Sequence, residues 1–93
     1  MSEKKNDMQF DGALITEQGI TFAIVIVKPQ VLNSYLECEK VRSGFSPVFP
    51  NVPIILMAQD SKGIPEYQGR KDIVNFLANI SASQIPWERY TIT

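Results

Sequence analysis

Three apolar patterns stand out along the chain. Residues 21–27 and residues 52–58 are two short apolar runs, and residues 22–27 are continuously apolar and β-branched rather than alternating with polar side chains. This continuous pattern is typical of a strand covered on both faces. The third pattern is an amphipathic stripe whose apolar positions repeat at helical spacing: Ile73, Phe76, Leu77 and Ile80. The sequence therefore predicts a sheet with residues 22–27 as its central strand, and a helix over residues 72–80.

A hairpin precedes the central strand. Residues 12–16 predict a first strand, short and at the edge of the sheet, and Gly19 supplies the positive backbone angle of a three-residue loop over residues 17–19. Residues 1–8 are polar, charged and without period, so we expect a disordered N-terminus there. Residues 9–93 then form a single α/β domain, because a chain of 93 residues can enclose only one core.

A helix and an extended connector separate the two apolar runs. Pro29 suits the first turn of a helix, which we predict as far as Arg42, with Gly44 ending it as a left-handed cap. Its apolar face has four members that lie three or four residues apart: Val31, Tyr35, Cys38 and Val41. Two prolines within residues 46–51 exclude a central strand or helix there and predict an extended connector.

The second half of the chain predicts another hairpin and a closing helix. Residues 54–58 form a strand, residues 60–63 form a type I turn with Gly63 in the left-handed position, and residues 65–68 form a short return strand. The tail after residue 80 is partly apolar, and we expect it to cover the core. The predicted fold class is α/β: a small mixed sheet of three to four strands with two helices, in the order β-β-α-β-β-α.

Several motifs follow one another between residues 50 and 80. They are the Val52-Pro53 dipeptide that opens a strand, a glycine turn, the Gln68-Gly69-Arg70 segment and an amphipathic helix. This succession resembles the C-terminal half of thioredoxin-like domains, in which a strand opened by a cis-proline is followed by a glycine turn, a short strand and a closing helix. The resemblance implies that Pro53 is that cis-proline and lines a cleft, and that Gly69 is the glycine after the last strand.

The chain departs from that family where its Cys-x-x-Cys motif belongs. Residues 28–33 read Lys-Pro-Gln-Val-Leu-Asn, without a cysteine. The resemblance therefore implies a shortened thioredoxin-like fold that has lost the redox chemistry. It also implies antiparallel pairing of the strands at residues 22–27 and 54–58, whereas a right-handed crossover through the first helix makes the same strands parallel. Both alternatives remain open at this point.

Composition argues against several classes of function. Nine Lys and Arg against ten Asp and Glu give a net charge of −1 with neither sign clustered, whereas nucleic-acid binding needs clustered cations. The chain has no histidine, which is the usual general base and a common zinc ligand, and no carboxylate pair is placed for acid–base catalysis. No apolar run reaches the ~20 residues of a membrane span. We expect no catalytic residue, cofactor, metal site, nucleic-acid partner or membrane association.

Two local features are candidate sites, one for thiol chemistry and one for binding a small anion. Cys38 is the one thiol, and a buried, inert side chain explains it more simply than a reactive one. A lone cysteine also favours a reducing cytoplasm. Gly69, Arg70 and Lys71 could hold a phosphate or carboxylate with the amides at a helix start, although solvated surface charge is the commoner explanation.

The sequence favours binding over catalysis. Tyr67, Trp87 and Tyr90 could form a contact surface, although aromatic residues near a terminus more often seal a small core. An exposed edge strand could accept a strand from another chain. We therefore expect a non-catalytic cytoplasmic module that binds a protein partner or forms a homodimer. The alternative is a thioredoxin-like relic with a thiol-linked or anion-binding role.

Overall fold

Five strands form one mixed sheet with a helix on each face. The computed structural model describes residues 8–92, and the predicted disordered segment, residues 1–8, lies outside them except for Met8. The elements are β1 (Met8–Glu17), β2 (Ile20–Ile26), α1 (Tyr35–Phe45), β3 (Ile54–Gln59), β4 (Pro65–Gln68), α2 (Lys71–Leu77) and β5 (Glu88–Ile92). The strand order is β4-β3-β2-β1-β5, so the sheet has more strands than the three to four predicted.

The central position of β2 is confirmed, because it is the third of the five strands. Its side chains alternate between two cores on opposite faces of the sheet. The α2 core consists of Ala13, Phe22, Ile24, Ile55, Met57, Ile73, Leu77 and Ile85. The α1 core consists of Phe10, Ala23, Val25, Cys38, Phe49, Ile54 and Leu56. Because helices cover both faces, neither face of β2 or β3 can be polar, which explains their continuous apolar runs.

β2 and β3 pair in parallel, from Ala23 opposite Ile54 to Ile26 opposite Met57. The chain leaves the end of β2, returns through α1 and starts β3 in the same direction, as the crossover alternative predicts. The antiparallel pairing that the thioredoxin-like resemblance implies is not found. The implied cis-proline is not found either, since no peptide bond in residues 8–92 is cis and Pro53 follows a trans bond.

The first hairpin is present, but its loop and its first strand differ from the prediction. Glu17 pairs with Ile20, so the loop has two residues instead of three. Both of them, Gln18 (φ 52°) and Gly19 (φ 79°), take left-handed angles, which is the type I′ geometry that matches strand twist. β1 is ten residues long, and β5 lies outside it. The predicted short strand at residues 12–16 is therefore part of a longer strand: β5 covers residues 8–12 of β1, whereas residues 13–17 have no strand of the described chain on their outer side, as an edge requires.

The second hairpin and the closing helix are confirmed. The carboxylate of Asp60 accepts hydrogen bonds from the backbone amides of Lys62 and Ile64 at 2.8 and 2.9 Å, and Gly63 has a φ of 81°. An aspartate that bonds its own turn amides holds the turn closed without tertiary support. α2 follows β4 closely and ends at Leu77, before the predicted limit of residue 80.

α1 begins later than predicted because Ser34 interrupts the helix. Pro29–Asn33 form only a 3₁₀ turn, and Ser34 is extended (φ −133°, ψ 118°). Its hydroxyl oxygen accepts a hydrogen bond from the amide of Glu37 at 3.2 Å, as an N-cap does. Gly44 lies inside α1 and is not its left-handed cap. The interruption also changes the apolar face, since Tyr35 is 70% exposed whereas Cys38 is buried.

The tail covers the core as expected, but it does so as a fifth strand. β5 pairs antiparallel with the first half of β1. The Tyr90 ring stacks on Phe10 with ring centroids 5.1 Å apart, and it meets Phe49 edge-on at 5.2 Å. Three distant parts of the chain thus meet in one aromatic cluster: β1, the connector after α1, and the tail.

Replacing Tyr90 with alanine tests this closure. Tyr90→Ala removes both ring contacts of a half-buried aromatic, so we expect a loss of about 2 kcal/mol in the free energy of unfolding, roughly half the value for a fully buried ring. The measurement is urea denaturation followed by circular dichroism. The matched control is Thr91→Val on the same strand, where the side chain is exposed and the expected change is within about 0.5 kcal/mol. Equal midpoints for the two variants would contradict the packing.

Candidate functional site

A cleft between α1 and the end of β4 brings three predicted site residues together. This α1–β4 cleft has a volume of about 330 Å³. Its lining comes from three segments of the chain: Tyr35, Glu39, Arg42, Pro53, Ile54, Gln68, Gly69 and Arg70. Pro53, Gly69 and Arg70, which belong to two separate candidate sites of the sequence analysis, are therefore neighbours in space. Lys71 begins α2 and is not part of the lining.

Arg42 forms the inner wall of the α1–β4 cleft, and its donors are already used. Nε donates to the carbonyl oxygen of Ile54 at 2.8 Å, and Nη2 donates to the carbonyl oxygen of Gln68 at 3.1 Å and to its side-chain oxygen. Nη1 pairs with Glu39. The guanidinium therefore joins α1 to the start of β3 and the end of β4. A side chain so fully engaged holds the fold together and has little capacity left for a ligand.

Gly69 serves packing at the back of the same cleft. Its φ is 154°, and an added Cβ would lie 2.6 Å from Cδ1 of Ile55 and 3.5 Å from Nη2 of Arg42. A side chain would have to push the Ile55 methyl group aside, and a φ of 154° is one that L residues rarely adopt. The backbone angle and the close approach explain glycine here without invoking an anion.

At the predicted anion site, residues 69–71, the arginine is paired with a neighbouring carboxylate. Arg70 directs Nε to Oδ1 of Asp72 at 2.8 Å and Nη2 to Oδ2 at 2.9 Å, so its guanidinium already holds a carboxylate. The hydrogen bonds from Arg70 lower the pKa of Asp72 below its ordinary value. α2 has only seven residues, and its first turn contains this acidic group. The Arg70 and Asp72 side chains are about half exposed, at 51% and 53%, so an anion that approached Arg70 would compete with Asp72 for the guanidinium.

The Cys38 thiol is buried. It belongs to the α1 core with 1% of its surface exposed, and its S–H donates to the carbonyl oxygen of Val31 at 3.3 Å. A thiol in this position lacks access to solvent or to a second cysteine. The structure therefore agrees with the inert interpretation of this residue.

The three aromatic candidates do not form one surface. Tyr67 and Trp87 pack against the α2 core, whereas Tyr90 packs against the α1 core on the opposite face. The indole Nε1–H of Trp87 donates to the carbonyl oxygen of Ala82 at 3.0 Å. Burial raises the pKa of Tyr67, and its hydroxyl makes no hydrogen bond within residues 8–92. These rings seal the core, which is the commoner role for such residues.

The backbone pairing shows which groups the outer edge of β5 presents. The amide of Ala23 donates to the carbonyl oxygen of Pro53 at 2.9 Å. The backbone N–H and C=O groups of odd-numbered β2 residues therefore point toward β3, and those of even-numbered residues point toward β1. By the same alternation, the backbone groups of even-numbered β1 residues point toward β5, and those of even-numbered β5 residues point toward β1. Arg89 and Thr91 therefore point their N–H and C=O groups outward. This outer row is here named the β5 edge.

The opposite edge of the sheet offers one backbone N–H fewer. In β4 the backbone groups of Pro65 and Tyr67 point outward, and proline has no N–H to offer. Prolines are among the features that protect natural sheet edges from pairing. β4 has four residues and β5 has five, and β5, which reads Glu-Arg-Tyr-Thr-Ile, contains no proline.

Comparisons of this chain with protein-family models, with curated proteins and with solved structures found no match. Its site must therefore be interpreted from its own geometry. Among residues 8–92, no helix combines the length and the apolar character needed to cross a membrane.

Substitution of Arg42 tests its structural role. Arg42→Ala leaves the carbonyl groups of Ile54 and Gln68 without their donors, so we expect a loss of about 2–3 kcal/mol in the free energy of unfolding. Arg42→Lys keeps the charge but cannot reach all the acceptors, so most of that loss should remain. The control is Arg70→Ala, whose exposed ion pair should change stability by less than about 1 kcal/mol. Equal urea midpoints for Arg42→Ala and Arg70→Ala would refute this role.

The burial of Cys38 predicts its reactivity. Native protein should not react with Ellman's reagent during the assay, and the full thiol should appear only in denaturant, because the sulfur is out of reach until the α1 core opens. Ser61→Cys, in the exposed turn after β3, provides a thiol that reacts at once under the same conditions. Rapid reaction of Cys38 in the native protein would revive the thiol hypothesis.

Proposed function

We propose that this chain is a non-catalytic module that binds another polypeptide, a protein partner or a second copy, along the β5 edge. The observation that carries the proposal is the pair of outward-facing backbone groups at Arg89 and Thr91. A strand edge with free donors and acceptors can extend its sheet by one strand from another chain. Main-chain bonds then supply affinity, and the flanking side chains supply selectivity.

The rest of the molecule supports binding at this edge rather than chemistry in a cleft. Most of the large apolar side chains lie in the two cores, although Leu14, Ile26, Tyr35, Leu36 and Ile64 are exposed. Within the α1–β4 cleft, Arg42 bonds to Glu39 and to backbone carbonyl groups. The Tyr90 ring of the β5 edge packs on Phe10 and Phe49 within the single chain. A strand that is already in place loses little conformational entropy when it pairs.

The alternative proposal is a shortened thioredoxin-like domain with a thiol-linked or anion-binding role. Of its two candidate groups, the Cys38 thiol is buried and the Arg70 guanidinium is hydrogen-bonded to Asp72. No contact in the described residues favours it over strand binding. A cytoplasmic location, proposed from the lone cysteine, suits either hypothesis.

A proline on the β5 edge tests the proposed function. Thr91→Pro removes an outward-facing N–H while leaving the ladder to β1 in place, since proline is tolerated at sheet edges. Thr91→Val is the matched control because it keeps the N–H. Both variants and the wild type are tagged and used to recover bound proteins from native cells, with untagged copies of the chain present.

We expect at least one polypeptide, foreign or the chain itself, to be retained by the wild type and by Thr91→Val and lost with Thr91→Pro. Recovery of the same proteins by all three baits would show that the β5 edge is not the binding surface. Circular dichroism of Thr91→Pro at the working temperature establishes that the variant is folded.

A further inference from the structure

We infer that the occupant of the β5 edge is a second copy of the chain, paired antiparallel about a two-fold axis with Tyr90 opposite Tyr90. This inference rests on the proposed function and names the partner. The resulting dimer would continue one sheet from β4 of the first copy to β4 of the second. It is an isologous contact, in which the same strand serves both sides.

The direction of the backbone groups limits the possible registers. Only the odd-numbered residues of β5 point their backbone N–H and C=O groups outward. The hydrogen bonds between the two copies must therefore form between odd-numbered residues of one β5 and odd-numbered residues of the other. Centring the axis on Tyr90 pairs Arg89 with Thr91 of the second copy and Thr91 with Arg89. It also places Glu88 opposite Ile92, so all five residues of the strand are paired.

Charge separates this register from its neighbours. An axis on Arg89 would set two guanidinium groups directly opposite each other, which opposes pairing. An axis on Thr91 would leave Glu88 beyond the ladder. With the axis on Tyr90, no like charges face each other.

Tyr90 is suited to the centre of such a contact. Its pair across the axis belongs to the non-hydrogen-bonded class, where side chains approach most closely. The ring is half-buried and held by Phe10 and Phe49, so it is in place before the second copy arrives. Aromatic cross-strand pairs are among those that stabilise a sheet most. The interface is nevertheless small, and we expect a weak, concentration-dependent dimer.

The test is the mass of the purified full chain across concentrations from about 1 µM to 1 mM by sedimentation equilibrium. We expect the mass to rise from the monomer value of 10.5 kDa toward twice that value. Thr91→Pro should weaken dimerisation by at least about tenfold, since it removes a donor at two symmetric positions. Thr91→Val should dimerise like the wild type. A monomer at every concentration, or a dimer unaffected by Thr91→Pro, overturns the inference.

Disulfide trapping tests the register. When Arg89→Cys and Thr91→Cys are mixed and oxidised, the mixed disulfide should form in excess, because these positions face each other across the axis. Neither variant alone should exceed the disulfide formed by the exposed Ser61→Cys control. A homodisulfide of Thr91→Cys in excess would place the axis on Thr91, and one of Arg89→Cys would place it on Arg89; either result overturns the proposed pairing.

The outcomes separate this inference from the proposed function. If the purified chain stays monomeric but a foreign protein is lost from the Thr91→Pro bait, the second copy is wrong and strand binding stands. If neither the chain nor any foreign protein depends on the β5 edge, both proposals fail together.

Discussion

The two-sided burial of β2 and β3 is the constraint on which the rest of this structure depends. Ile24, Val25, Ile55 and Leu56 have no exposed surface, so each face of this strand pair must be covered. Parallel strands also need a long return connection, which α1 provides on one face. α2 and the segment containing Ile85 cover the other face. Most of the apolar side chains in the described residues are used in this way.

Local patterns were sufficient to predict the elements that carry their own signal. The apolar runs predicted β2 and β3, and the Asp60–Gly63 turn predicted the second hairpin, because neighbouring residues determine each of these features. The early part of β1 and the whole of β5 carry no such signal. Glu88–Ile92 mixes charged, aromatic and β-branched residues, and it becomes a strand by pairing with β1. A partner so distant in sequence cannot be found from periodicity.

The same limit applies to the candidate site. Pro53, Gly69 and Arg70 could each be named as a candidate from local motifs, but their proximity and the role of Arg42 could not. Its carbonyl partners lie 12 and 26 residues away, and only the Glu39 pair one helical turn back is visible in the sequence. The orientation of Arg89 and Thr91 is hidden for another reason, since it depends on registers carried from β3 through β2 and β1. The backbone groups that an edge strand exposes are determined only when the whole sheet is assembled.

The meeting of β1 with β5 also has a consequence for biosynthesis. The Arg89–Asp11 bond spans 78 residues of chain, so this corner of the sheet closes only after the residues between them have been translated. Until residues 88–92 leave the ribosome, Phe10 lacks its stacking partner and the outer edge of β1 is unpaired. Contacts of such long loop length form slowly. The nascent polypeptide is therefore exposed to aggregation through this edge until β5 is available, and a premature stop before residue 88 would release it in that state.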